Sequence, residues 1–338
     1  MSAVPIHIIS CDWGTSSLRL RLVGITERTI LSEVSSPLGI AHTFDTWKQS
    51  GQPEENRVPF YLSVLKDQVE SLEEKAQSPL REVPLVISGM ASANIGMLEL
   101  PYKELPFRAD GRDLLTRVLE ATKDFNHEII LVSGGKTDRD VMRGEETQLA
   151  GCVPAAGGTP AKAGTPDQVG RLFIFPGTHS KHIFVKGQTV LSFQTFMTGE
   201  FFSLLSRNSI LSGSILANTD PLEGAILKSF EDGVTEARHT NLLNSAFFVR
   251  TNSLFGKYTK QENYSYLSGL LIGTELKNLS GPANPPIPVT IVGDQNQKQY
   301  YLAALRTLDI PGVHFQDAAQ AVVNGHCRIY EQYKSSTI

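Results

Sequence analysis

Two adjacent carboxylates, Glu145 and Glu146, head a predicted helix in the segment DVMRGEETQLAG, just after Asp140 and Arg143. A carboxylate held at such a point can take a proton from a hydroxyl. The first turn of any helix also favours acids through its dipole, and the residues alone favour that plainer reading. A second group lies at Asp12 to Ser17, DWGTSS. Gly14 lets backbone approach an anion, Thr15, Ser16 and Ser17 can donate hydrogen bonds to it, and Asp12 can hold a hydrated Mg²⁺ beside phosphate oxygens. Asp and Gly are equally the ordinary residues of a hairpin turn.

A related turn returns at Pro176 to Lys181, PGTHSK, which supplies Gly177, Thr178, His179, Ser180 and Lys181. One such turn is weak evidence. Two at equivalent places in two halves point to a duplicated domain with paired phosphate loops. His179 and His182 have no acid or cysteine close by in sequence, so hydrogen bonding or packing is favoured over metal ligation. The string SGGKT at Ser133 to Thr137 is not a P-loop, because Ile130 stands where that motif needs its first glycine.

The elements that must position these groups follow from apolar periodicity. The stretch Ile8 to Val23 predicts strand, turn, strand, and TILSEVSS at 29–36 a third strand, with Pro37 and Gly39 as its stop. Tyr61, Leu65, Val69 and Leu72 predict an amphipathic helix. VPLVIS (83–88) predicts a buried strand that empties into a small-residue loop, the place where ligands gather in open α/β sheets. Leu114, Leu115, Val118 and Leu119 predict a helix over 112–123, and EIILVS (128–133) the next buried strand. Val153 to Gly170, rich in Gly, Pro, Ala and Thr, reads as an interdomain connection. Beyond it come strands in RLFIF, Ile183–Val185 and Thr189–Phe193, a helix after FMTGE with Glu200 as a polar contact, and helices over 262–276 and 317–333. Gly269 and Gly273 predict close packing against another helix. Gly293, between the strand Pro288–Val292 and a helix, either presents backbone to a nucleoside or serves an ordinary turn.

At 338 residues, two domains are expected, and 41% hydrophobic residues supply a core for each. A net charge of −4 with 20% charged residues offers no basic stripe for nucleic acid and no polybasic patch for a membrane. Three separated cysteines, Cys11, Cys152 and Cys327, argue against zinc or a disulfide framework. With no signal or transmembrane pattern, a cytoplasmic location is expected.

Taken in order, the two phosphate turns, the helix at Glu145, the Gly293 turn and the small-residue last helix resemble the phosphate, connecting and adenosine segments of the actin, hexokinase and glycerol kinase superfamily. That implies two ribonuclease-H-like domains, mixed five-stranded sheets with helices, flanking an ATP cleft. The boundaries expected are 1–150 and 151–338, with the final helix packing back towards the first domain. More narrowly, DWGTSSLR, SGMASANIG followed by PY, DVMRGEETQLAG, PGTHSKH, FMTGE and YLSGLLIGTEL resemble the 2-dehydro-3-deoxygalactonokinase family, from about residue 8 to about residue 330.

The resemblance implies ATP-dependent phosphorylation of the 6-hydroxyl of 2-dehydro-3-deoxy-D-galactonate, with Mg²⁺. By analogy Glu145 is the base, Glu146 the second choice and Asp140 the third. Asp12 orients the metal through water, Gly14, Thr15, Ser16 and Ser17 hold phosphates from one domain, and Gly177, Thr178, His179 and Ser180 from the other. Lys181 either neutralises charge or faces solvent. Arg143 meets the substrate carboxylate, Ser88, Ser92 and Asn94 its hydroxyl or keto oxygens, and Gly293 the adenosine. A sugar acid and ATP are the partners, and a homodimer is left open. The rivals are a kinase for a different sugar or sugar acid and a non-catalytic nucleotide sensor. Two departures from the family pattern are extra loop length at 45–57 and 153–169 and the residues DQNQ after Gly293.

Overall fold

The computed structural model describes residues 7–154, 170–279 and 287–336. Most of the connection expected at Val153 to Gly170 lies outside the described residues. Two compact units divide the chain: unit 1 takes the described residues up to 154 together with 188–192 and 318–336, and unit 2 takes 170–187 and 193–317.

Alternation of apolar residues in unit 1 folds β1 (His7–Trp13), β2 (Leu18–Gly24) and β3 (Thr29–Ser36) into an antiparallel meander. Helices α1 (Ile40–Gln49) and α2 (Arg57–Ala76) follow, and α2 buries Tyr61, Leu65, Val69 and Leu72. The continuous apolar run of β4 (Leu85–Gly89) then inserts parallel to β1, as expected of a strand covered on both faces. Short strands β5 (Lys103–Glu104), β6 (Phe107–Arg108), β7 (Thr116–Leu119), β8 (Ile129–Val132), β9 (Gly135–Lys136) and β10 (Val141–Met142) lead to helix α3 (Glu145–Cys152). The main sheet runs β3-β2-β1-β4-β8-β7, with β8 parallel to β4 and β7 antiparallel to β8.

Two sequence expectations fail here. Residues 112–123 are not helical: Thr116–Leu119 is the edge strand β7, a sixth strand on a sheet expected to have five. Its four residues form a ladder with Ile129–Val132, and tertiary pairing overrides a helical spacing of only four apolar residues. Residues 45–57 are not a long loop either, because α1 occupies 40–49 and a 3₁₀ turn at Glu54–Asn56 leads into α2.

Unit 2 repeats the order of the first five strands. β11 (Arg171–Phe175) pairs antiparallel with β12 (Ser180–Lys186), which leads to β13 (Thr189–Phe196). Helices α4 (Thr198–Arg207), α5 (Gly224–His239), α6 (Leu242–Ser245), α7 (Phe248–Leu254) and α8 (Lys260–Leu276) intervene before β14 (Val289–Gly293), α9 (Gln295–Thr307) and β15 (Val313–Asp317). β14 lies parallel to β11 and β15 parallel to β14, so the order β15-β14-β11-β12-β13 mirrors that of unit 1. Helices α5 and α8 approach backbone to backbone. A Cβ on Gly269 would stand 2.0 Å from the carbonyl oxygen of Phe230, which explains the small residues there.

The last helix, α10 (Ala318–Ser336), belongs to unit 1 and packs on α3. A Cβ on Gly151 would fall 1.9 Å from the Ala321 carbonyl oxygen, and one on Gly325 2.0 Å from that of Thr147. His326, fully buried, joins this helix to the sheet: Nδ1 lies 2.7 Å from Ser10 Oγ on β1 and Nε2 2.9 Å from Ser88 Oγ on β4. Burial pushes the imidazole down to about 3, so it stays neutral and bridges the two hydroxyls.

Candidate active site

Strand ends gather the groups of unit 1. Register places Asp12 of β1 beside Ser88 of β4 and opposite Arg19 of β2, whose Nη1 lies 3.4 Å from the Asp12 carboxylate. The turn that follows is closed by Gly14 N–H donating to Ser17 O at 2.9 Å. Its carbonyls are taken by the start of α1, since Ile40 N–H donates to Gly14 O and Ala41 N–H to Thr15 O, at 2.9 and 3.1 Å. Thr15 and Ser16 stay exposed. Gly39 makes this possible: a Cβ there would stand 2.3 Å from Thr15 O. By sequence Gly39 reads only as a strand stop, and its fit against the turn has no local signature.

Gly89, at φ +90°, carries the chain away from β4, and a Cβ on it would meet Trp13 O at 2.7 Å. Gly144, at φ +108°, lies in turn against Gly89 and opens α3. These left-handed glycines seat the head of α3 beside the ends of β1 and β4. Glu145 is half-buried there. Glu146 is 2% exposed, and both its oxygens accept from Gly144 N–H at 2.9 and 2.8 Å, with Thr147 Oγ1 donating to Oε1 at 3.1 Å. Burial first, and then the neighbouring Glu145, push the Glu146 carboxyl up to about 8. A carboxyl that keeps its proton near neutrality is poorly placed to accept another.

Arg143 is held on three sides. Nη1 donates to Ser92 Oγ at 2.7 Å, Nη2 to Leu100 O at 2.9 Å, and the guanidinium lies 3.9 Å from the centre of the Tyr102 ring. Its Nε is buried without a hydrogen-bond partner. The Ser92 hydroxyl is therefore spent on Arg143, and the Ser88 hydroxyl on His326. Both serines, expected to meet substrate oxygens, are buried, at 0% and 1% exposed, with their hydroxyls on Arg143 and His326. Asn94 is exposed, and its carbonyl accepts from Arg57 Nη2.

In unit 2 the turn between β11 and β12 exposes Gly177, Thr178 and His179. His179 Nε2 lies 2.5 Å from Glu200 Oε2, and Glu200 N–H donates to Thr178 O at 3.0 Å, so α4 braces the turn. Gly199 is a second tight contact, since a Cβ there would stand 2.5 Å from Gly177 O. Ser180 is fully buried, and its Oγ donates to Glu275 Oε1 at 2.7 Å, so this hydroxyl is not presented to a phosphate. Lys181 is 5% exposed with Nζ donating to His179 O at 3.2 Å; it does not face solvent.

A cavity of about 170 Å³ opens beside this turn, lined among others by Gly177, Thr198, Phe202, Leu271, Gln297 and Tyr301. The DQNQ departure has a physical account. Asp294 caps α9 by accepting from Gln297 N–H at 2.8 Å, and Gln297 Oε1 accepts from Asp294 N–H at 2.9 Å. Gln297 Nε2 then reaches Pro176 O at 3.0 Å, tying the Gly293 turn to the phosphate-type turn.

The two units share one strand order, and each has a glycine and hydroxyl turn after its first strand, an arrangement that fits the kinase class the sequence resemblance implies. The model of the 2-keto-3-deoxy-galactonokinase family matches residues 12–329, and the chain belongs to that family. A probable 2-dehydro-3-deoxygalactonokinase from Rhizobium meliloti is 31% identical over 330 residues, 95% of this chain and 97% of the relative. The 2-dehydro-3-deoxygalactonokinase of Escherichia coli is 29% identical over 249 residues, covering 71% and 77%. A crystal structure from Sinorhizobium meliloti, ascribed to a 2-dehydro-3-deoxygalactonokinase, superposes with a TM-score of 0.73 at 30% identity and 94% coverage of each chain.

Proposed function

We propose that this enzyme transfers the γ-phosphoryl group of ATP to the 6-hydroxyl of 2-dehydro-3-deoxy-D-galactonate. The observation that carries the reading is the family match over 12–329, which spans every candidate residue. Phosphoryl transfer asks a protein mainly for positioning and charge stabilisation. Glu145, half-buried where Glu146 is 2% exposed, takes the hydroxyl proton as the oxygen attacks phosphorus. Arg143, already oriented by Ser92, Leu100 and Tyr102, meets the sugar-acid carboxylate. Gly14 to Ser17 and Gly177 to His179 hold phosphates through backbone N–H groups and the exposed Thr15, Ser16 and Thr178 hydroxyls. The nucleoside lies in unit 2, beside Gln297 and the Gly293 turn.

Among the described residues no three His, Cys, Asp or Glu side chains stand together. Asp12, 21% exposed at the end of β1, fits a Mg²⁺ held by one carboxylate, water and the nucleotide itself. When bound, that ion neutralises phosphate charge. No helix among the described residues is long and apolar enough to cross a membrane. We place the enzyme in the cytoplasm.

The test is acceptor-dependent ADP release with 2-dehydro-3-deoxygalactonate beside its gluconate epimer and a panel of other sugar acids. Faster turnover with the galactonate is expected. Preference for another acid moves the substrate assignment, and ATP binding with no acceptor-dependent release overturns the enzymatic reading.

A further inference from the structure

Glu275 stands on the last turn of α8, where the helix dipole disfavours a negative charge, and it is 3% exposed. A carboxylate buried there is costly unless its oxygens are fully hydrogen-bonded. Four donors converge on it. Ser180 Oγ at 2.7 Å and His182 Nε2 at 2.8 Å meet Oε1, and Thr198 Oγ1 and Tyr301 OH, the latter at 2.9 Å, meet Oε2. They come from the end of the 176–181 turn, from β12, from the first residue of α4 and from α9. Thr198 and Tyr301 also line the 170 Å³ cavity beside Gly177. An apolar side chain would fill the same space more cheaply, so what the carboxylate adds is a common anchor for these four elements.

We propose that Glu275 is the positioning residue of the second phosphate turn: it draws the Ser180 hydroxyl inward and locks the turn, α4 and α9 in one arrangement, so that backbone N–H groups face the nucleotide. This rests on the reading that the 176–181 turn holds ATP phosphates. Replacement by Gln keeps the shape but puts an NH₂ group where two donors need an acceptor.

The test is steady-state kinetics of Glu275→Gln in the full chain, with calorimetric titration of ATP. The KM for ATP rises at least about tenfold, while kcat at saturating ATP stays within about threefold and the sugar-acid KM is unchanged. A folded Glu275→Gln with the wild-type KM for ATP overturns the proposal. His182 is 5% exposed and packs on Phe196, so its effect on ATP passes through Glu275. His182→Leu therefore raises the KM for ATP, and His182→Gln, which keeps an N–H donor, restores it. This pair decides the matter if Glu275→Gln fails to fold, and equal KM values for the two overturn it. Wild-type protein that binds neither ATP nor ADP overturns the phosphate-turn reading itself. Wild-type binding that Glu275→Gln leaves undiminished removes Glu275 alone.

Discussion

Burial separates the two neighbouring carboxylates at the head of α3, although nothing in EE distinguishes them in sequence. Glu145→Gln lowers kcat at least about 10²-fold and leaves ATP affinity near wild type, as loss of a base does. Glu146→Gln keeps most turnover; the reverse result would exchange the two roles. Glu146 also leaves a signature in stability. Its carboxyl is pushed up to about 8 in the folded protein from an ordinary value of 4.5. In that window the unfolded chain has released a proton the folded chain still holds, so stability is greatest below the lower value and falls as pH rises through the higher. Wild-type Tm should drop by several degrees between about pH 5 and pH 8, and Glu146→Gln should flatten that slope in thermal denaturation. The orientation of a hydroxyl is similarly hidden from sequence. Ser180 and Thr178 look alike in PGTHSK, yet Ser180 begins β12 and turns inward to Glu275, whereas Thr178 stays exposed.

Elements carry these residues to their places chiefly through glycine contacts that admit no Cβ. Gly325→Ala would drive a methyl into the Thr147 carbonyl, 2.0 Å away, and push α10 off the helix that begins with Glu145. Overpacking of this kind costs about 1–3 kcal/mol. We expect a Tm lowered by several degrees and a reduced kcat in the same protein, whereas Gly213→Ala, which meets nothing within 4 Å and lies outside the positive-φ region, serves as the control. The strands that bear the turns are legible because β1, β4, β11 and β14 are short apolar runs that meet Asp12, Gly89, Pro176 and Gly293 at or next to their last residue. Segment 112–123 is not, since its four apolar residues suit a helix or an edge strand equally and β8 decides the outcome. Glu275 shows one signal that sequence does contain: a lone acid amid the apolar face of LSGLLIGTEL demands partners, but not which ones.

At the scale of the molecule, the repeat of strand order is readable from the two glycine and hydroxyl turns, while the composition of each unit is set by contacts distant in sequence. Unit 1 is completed by α10, whose Val323, Cys327 and Tyr330 are fully buried and whose Arg328 Nη1 donates to the Val153 carbonyl at 2.9 Å. A chain ending at Asp317 should lose the cooperative unfolding transition of unit 1 and all ADP release; retention of wild-type Tm and turnover would contradict this, and circular dichroism with the kinase assay decides. The same closure orders events during synthesis. The ribosome makes the first 150 residues early but releases α10 only after roughly 190 more, on the order of ten to forty seconds later at about 5–20 residues per second. Over that interval the nascent sheet of unit 1 waits with the face meant for His326 uncovered, and unit 2, which runs to Asp317, is itself complete only about twenty residues before α10 ends. Chaperone demand should therefore fall on the first half of the chain, and codon changes that delay synthesis of α10 should lower soluble yield without touching any group in the active site.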